Sequence, residues 1–320
     1  MPADTDSRAA GSRDAFSSMA LVLEDERIGA ERAADLRAPY EQLLTDLLAL
    51  RERRERRPVV VGICGAQASG KSVLARVLQA GLRDAAGLAV AVLSLDDLYL
   101  SSRERARLAA RVHPLLRTRG VPGTHDVQLG MQVMRRLLHA GRDAITPLPR
   151  FDKLADEPRP QTQWEAFRGP ADLVIFEGWC VGARPQTPDA LAEPVNALER
   201  ELDAGGRWRR YVNDQLAGPY RGLFDLLDRL VMLRAPGFEV VFRWRREQEH
   251  KLAARLAAAA PPGDAPASGA TRRVMNDAQL ERFIMHYERL SRHILAEMPA
   301  RADVLLSLDA ERRILSLQCR

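Results

Sequence analysis

The sequence predicts an α/β fold, a doubly wound and mostly parallel sheet with helices on both faces, on three observations. In residues 59–78 a β-branched run (Val59, Val60, Val61) ends in G-x-x-x-x-G-K-[ST] and continues as an apolar-periodic helix. Short, almost uniformly apolar strands then alternate with amphipathic helices, the pattern of strands buried on both faces. Three strands end in polar groups: residues 65–72, Asp96-Asp97 and Glu177. In such a sheet, ligands bind at the carboxyl ends of the strands.

The elements follow in order. Residues 1–20 are small and polar and are expected to be disordered. Residues 21–57 read as a helical extension, with Leu36, Tyr40, Leu43, Leu44, Leu47 and Leu50 recurring at threes and fours. The arginine-rich run 51–57 is expected to be a solvated helix end with i,i+3 and i,i+4 ion pairs, stopped by Pro58. Residues 58–320 then read as one domain.

In its first loop, Gly65 and Gly70 are expected at φ > 0. They would turn the N–H groups of Ala66, Gln67, Ala68 and Ser69 inward on an anion. The helix opening with Lys71, Ser72 and Val73 adds its positive end. Lys71 would reach the β- and γ-phosphates of ATP or GTP, and the Ser72 hydroxyl would ligate Mg²⁺.

Residues 88–95 form the second strand and 103–117 a helix, followed by a turn-rich loop over 117–126. Asp126 caps a helix over 127–140, and a short strand over 144–149 leads to Lys153. The buried strand 172–179 carries Glu177, and 185–225 is a helical insert rich in Trp, Tyr and Arg. A strand at 229–233 precedes a basic helix at 238–256. Residues 257–271 are low-complexity and read as a mobile loop within a lid, 238–275. Asn276-Asp277 cap another amphipathic helix, and 303–308 is the last strand expected.

Composition narrows the partners. The 48 Lys and Arg against 43 Asp and Glu give a modest +5, and only three of the 48 are Lys. Lys71 and Lys153 therefore stand out where arginine is the background cation. No basic surface interleaved with aromatics suggests nucleic acid, and no apolar stretch of about 18 residues suggests a membrane span. Three cysteines (Cys64, Cys180, Cys319) without metal-like spacing point to a reduced, cytoplasmic compartment. Oligomeric state is left open.

Phosphoryl transfer needs a phosphate cradle, a carboxylate to hold Mg²⁺, and a carboxylate to take the acceptor hydroxyl's proton. Lys71, Glu177 and Asp96 fill those roles, with spacing leaving Asp97 as the alternative base. His125, beside Asp126 and near Arg117 and Arg119, fits a small anion, and Arg119 is the natural partner of a carboxylate. Two other readings fit: another hydroxyl acceptor (a nucleoside, a sugar phosphate or pantothenate), or a non-catalytic module gated by nucleotide.

The segments GAQASGKS, SLDDLYL, RGVPGTHD, PRFDK, FEGW and FRWRREQE occur in the order and approximate spacing of the D-glycerate 3-kinase family, which the chain resembles over roughly residues 58–300. That resemblance implies a P-loop kinase fold related to uridine kinase, phosphoribulokinase and pantothenate kinase. It implies ATP and Mg²⁺ as cofactors and a small-molecule substrate, D-glycerate. It also implies Asp96 as base and an acceptor pocket of Asp97, Tyr99, Arg119, His125, Asp126 and Lys153. Glu177 would act through Mg²⁺, and Arg243 and Arg245 would be lid residues, Arg245 catalytic. The chain departs from the family pattern at Phe151, where Tyr is usual, and in 154–160, where Arg159 stands in for the arginine of a Gly-containing element. It departs again at His286, where Arg is usual, and in 257–271.

Overall fold

The computed structural model describes residues 15–54, 58–258 and 275–320. Two helices, α1 (Ala15–Asp25) and α2 (Ala30–Glu52), precede the first strand, β1 (Val59–Gly65), which leads into α3 (Lys71–Ala86). β2 (Val90–Ser94) is followed by α4 (Ser102–Arg111) and α5 (Val127–Leu138). Four short strands come next: β3 (Ile145–Leu148), β4 (Phe151–Asp152), β5 (Glu157–Pro158) and β6 (Glu165–Arg168). After β7 (Leu173–Gly178) come α6 (Ala197–Leu202), α7 (Arg207–Gln215) and α8 (Arg221–Phe224). The chain closes with β8 (Arg229–Arg234), α9 (Glu239–Ala258), α10 (Asp277–Glu297), β9 (Val304–Leu308) and β10 (Ile314–Cys319).

The central sheet has the order β10-β9-β8-β1-β7-β2, parallel except for β10. Alternate residues explain its two covers. Val59, Val61 and Ile63 join Leu173, Ile175, Val231 and Leu233 in a core with α1, α2 and α3. Val60 and Cys64 face the other way with Val174, Phe176, Leu230 and Met232, against α5, α8 and α10. Every residue of β1 and β7 is buried, which is why their sequences show no polar alternation.

Several expectations are corrected. Residues 1–14 lie outside the described residues, but 15–20 belong to α1 rather than to a disordered tail. Met19 and Leu23 are fully buried one helical turn apart. Burial of such side chains contributes roughly 1.5–3 kcal/mol each. Their groove is Gly81 of α3, where a Cβ would come within 2.9 Å of Met19 Sδ. Within the arginine-rich run, Arg51 pairs with Asp172 at 2.9 Å and Arg54 with Asp228 at 3.4 Å over long range rather than along the helix, each acid just before a core strand. The loop expected at 257–271 falls almost wholly outside the described residues. The strand at 303–308 is not the last, because β10 adds an antiparallel edge.

The insert expected at 185–225 contains α6, α7 and α8, with the five residues Leu216–Tyr220 wound as a π turn. Among the described residues no helix is long and apolar enough to cross a membrane.

Candidate functional site

The carboxyl ends of β1, β7 and β2 lie side by side, and the register places Glu177 opposite Ile63 on one side and Ser94 on the other. From β1 the chain turns through residues 66–70 into α3. Of the two glycines expected at positive φ, only Gly70 (φ 97°) takes it, and Ala68 (φ 60°) is the second left-handed residue. Gly65 is required for a different reason: a Cβ there would sit 2.6 Å from Ser69 Oγ and 3.1 Å from Leu233 Cβ. Ser69 Oγ and both amide atoms of Gln67 are buried without a partner, so this loop holds polar groups that the protein itself does not satisfy. Ala66 packs against Phe238, Val241, Leu280 and Ile284, which ties the loop to α9 and α10.

Ser72, in the first turn of α3, donates from Oγ to Glu177 Oε1 at 2.9 Å. The other oxygen, Oε2, is buried with no partner. A hydroxyl beside an orphaned carboxylate oxygen fits a divalent cation held by few protein ligands and completed by phosphates and water, the usual manner of Mg²⁺. Among the described residues no group of three or more His, Cys, Asp and Glu forms a metal cage.

After β2 the chain enters a 3₁₀ turn, Leu95–Leu98, with Ser94 Oγ capping Asp96 N. This turn separates the two aspartates. Asp96 receives Lys153 Nζ at 2.7 Å on Oδ2 and Tyr99 OH at 2.9 Å on Oδ1. Asp97 instead accepts from Phe151 N at 2.9 Å and Arg150 Nη1 at 3.4 Å, bracing the segment before Lys153. Burial would raise both carboxyls. At Asp96 the charges of Lys153 and Lys71 and the hydrogen bonds from Lys153 and Tyr99 outweigh it, and its pKa lies well below the usual range. At Asp97 burial prevails and the pKa is raised. Lys153, drawn chiefly by Asp96 and also by Glu177 and Asp97, is pushed up. Lys71, Asp96, Lys153 and Glu177 thus act on one another within one site.

Tyr99 stacks on His125 (4.5 Å between centroids, 22°) and meets Phe151 edge-on at 5.3 Å. The Tyr220 oxygen accepts from Gly123 N at 3.0 Å and lies 2.6 Å from His125 Nδ1. That contact ties the His125 ring to Tyr220 on its Nδ1 side and leaves Nε2 as its other polar atom. Nε2 is buried without a partner, and burial lowers the His125 pKa to about 3.

Arg119 pairs with Asp156 through Nη1, donates to Lys153 O from Nη2 at 3.3 Å, and lies 5.6 Å over the Phe151 ring. The Tyr287 hydroxyl donates to Arg119 O at 3.0 Å. Asp126 caps α5 by accepting from Leu129 N at 2.9 Å.

Other expected residues stand apart from this cluster. Arg159 is exposed and sits 4.0 Å from Asp152. Arg243 donates to Ala310 O at 2.7 Å, beside Glu311. Arg245 pairs with Glu249 one turn on and lies 6.0 Å over Phe283, whose ring contacts Tyr287. His286 is buried, its Nδ1 at the carbonyls of Arg282 and Phe283 and its ring edge-on to Trp208. Sequence reasoning missed Arg105, Asp156, Tyr220 and Tyr287, which hold this cluster together from distant elements. A cleft of about 490 Å³ lined by Gly182, Arg184, Leu216, Arg221, Phe224 and Arg301 lies outside the cluster.

No protein-family model matches the chain. It is 33% identical over 241 residues to an uncharacterised kinase, mug58, of Schizosaccharomyces pombe, covering 73% of this chain and 79% of that protein. It is 27% identical over 199 residues to the chloroplastic D-glycerate 3-kinase of Arabidopsis thaliana, covering 60% of this chain and 41% of that protein. The solved D-glycerate 3-kinase of Cryptococcus neoformans superposes with a TM-score of 0.71 at 26% identity, over 88% of this chain and 99% of that one. The fold, the phosphate loop and these relatives agree: the chain is a phosphotransferase and belongs to the D-glycerate 3-kinase family of P-loop kinases.

Proposed function

We propose that the chain is an ATP- and Mg²⁺-dependent kinase that phosphorylates the 3-hydroxyl of D-glycerate, with residues 58–320 as the kinase domain. The observation that carries this reading is the Lys153–Asp96–Tyr99 cluster beside Lys71, because a protein that only bound nucleotide would need no ionised acid there. The N–H groups of the 65–72 loop and Lys71 would hold the ATP phosphates. Ser72 and Glu177 would hold Mg²⁺, which would supply neutralisation of the developing phosphoryl charge.

Asp96 would accept a hydrogen bond from the attacking hydroxyl and receive its proton. A carboxylate held this far down is a weak base, so its main contribution is to orient the oxygen in line. Protonation follows as the P–O bond forms. The remaining donors of Arg119 would suit the substrate carboxylate, with the unpartnered Nε2 of His125 close to the same cluster. Arg245 would approach the transferring phosphoryl group once α9 closes, with Arg243 anchoring the same helix to the segment before β10. A fixed cation at developing charge is worth roughly 2.7–4 kcal/mol in a dry site.

The test is ADP release with Mg·ATP and a panel of D-glycerate, glycerol, pantothenate and uridine, with no acceptor as control. Glycerate-dependent release supports the reading. Turnover confined to another acceptor moves the substrate assignment and leaves the kinase intact.

A further inference from the structure

Four arginines fall in or at the end of α4, and three behave as its polar sequence suggests. Arg103, Arg107 and Arg111 are exposed, whereas Arg105 is 1% exposed. Its only acid partner among the described residues is Asp156, reached by Nη2 at 2.5 Å and Nη1 at 3.2 Å. The same carboxylate holds Arg119. A buried guanidinium needs such a counter-charge, and it fixes where that counter-charge can stand.

Asp156 itself is over-determined. It has φ 59°, a left-handed conformation that Asp accepts more readily than most side chains and that the turn around it holds in place. Asp152 Oδ1 closes the turn ahead of it by accepting from Leu154 N and Ala155 N, both at 2.9 Å. Glu157 fastens the far side to the start of α4 through Ser102 N at 3.3 Å and Ser102 Oγ. Lys153, in the same turn, reaches Asp96. Helix α4, which begins three residues after Tyr99, therefore grips the turn that carries the acceptor-side lysine.

We propose that Arg105 and Asp156 are positioning residues: buried Arg105 holds Asp156, and Asp156 sets the plane of Arg119 so that its free donors meet the acceptor's carboxylate. Guanidinium has five N–H donors. Two go to Asp156 and Lys153 O, and the Phe151 ring lies against its face. Three N–H groups remain on a planar ion whose orientation those contacts fix, and two on one edge can recognise a planar anion in two bonds. This inference rests on the glycerate reading for its substrate, though not for the geometry.

The test compares D-glycerate with glycerol, which offers a primary hydroxyl and no carboxylate. Asp156→Asn keeps the left-handed backbone and removes the charge. It is expected to raise KM for D-glycerate about tenfold or more, to leave KM for ATP unchanged, and to cut the glycerate-to-glycerol ratio of kcat/KM by the same factor. Arg119→Lys should lose a similar amount, and the double variant no more than the worse single one, because both break one contact chain.

A parallel fall for both acceptors, or additive losses, overturns the proposal. A lower KM for glycerate also overturns it, since Asp156 would then be a competitor for Arg119. If Asp156→Asn does not fold, Arg105→Lys carries the same comparison with the buried charge kept. If the wild type does not use glycerate, the substrate reading alone has failed. The relay is then judged from a crystal structure of Asp156→Asn, or of Arg105→Lys: Arg119 displaced from Phe151 upholds it, and Arg119 unmoved overturns it.

Discussion

Lys153 Nζ and Asp96 Oδ2 lie 2.7 Å apart across 57 residues of sequence, and this contact draws both groups towards their charged forms. Asp96 is depressed, so its contribution to stability is present above the ordinary carboxylate range and lost as pH falls through the lowered value. Lys153 is raised, so its contribution is present below the ordinary 10.5 and lost as pH rises through the higher value. Lys153→Met removes the main force opposing burial at Asp96. Its kcat should fall on the order of 10²-fold and gain an acid limb at higher pH than the wild type shows. A kcat–pH profile of unchanged shape would remove Asp96 from the base role.

Glu177→Gln keeps an acceptor for Ser72 and removes the charge from the orphaned oxygen. The Mg²⁺ concentration giving half-maximal rate should rise about 10–100-fold. The ligand-free melting temperature should not fall, because the oxygen replaced makes no hydrogen bond within the protein. Wild-type stabilisation by saturating Mg·ATP, about 2.7 kcal/mol at a hundredfold excess over Kd, should shrink. Differential scanning calorimetry with and without Mg²⁺ reads both effects.

Gly65 and Gly70 should respond differently to alanine. At Gly70 nothing lies within 4 Å of a Cβ, so the penalty is conformational, about 1–3 kcal/mol. At Gly65 the added methyl strikes Ser69 Oγ and Leu233 Cβ, distorting the loop itself. Titration calorimetry should therefore find ATP binding lost more completely in Gly65→Ala than in Gly70→Ala.

His125 stays neutral in the fold, with its pKa pushed down to about 3, whereas the unfolded chain takes up a proton near 6.5. Its share of stability therefore falls as pH drops, by about 2 kcal/mol between pH 7 and 5. Urea unfolding at those two pH values should show a smaller loss for His125→Gln than for the wild type. Equal losses would mean that the ring titrates freely in the native state.

The phosphate loop and its flanking strand and helix were legible because local chemistry decides them: an apolar run, glycines, then a helix start. The same holds for Asp126 and Asn276 as caps, which need only neighbours three residues away. The acceptor side was legible only as a set of residue types. That Asp96 faces Lys153 while Asp97 braces Phe151 depends on one 3₁₀ turn, which adjacent aspartates do not reveal. Arg105 was hidden among many arginines, since only the turn carrying Asp156 makes it a buried cation. Gly65 was read as a left-handed residue because its neighbour Leu233 comes from a strand 160 or more residues further along. The helix at 15–25 was missed because its apolar face has meaning only against Gly81.

The π turn at Leu216–Tyr220 has a consequence for how the family can vary in length. Such a turn carries one residue more than an α turn, and each residue advances a helix by about 100°. It works as a phase shifter: upstream, Trp208 and Val212 keep step with the packing of α7, and downstream Tyr220 comes round to Gly123 and His125. A single-residue deletion there would leave both helices intact yet rotate the tyrosine out of step with the histidine it orients. Insertions and deletions in this stretch are therefore felt at His125, as a change of angle, before they are felt as a loss of fold.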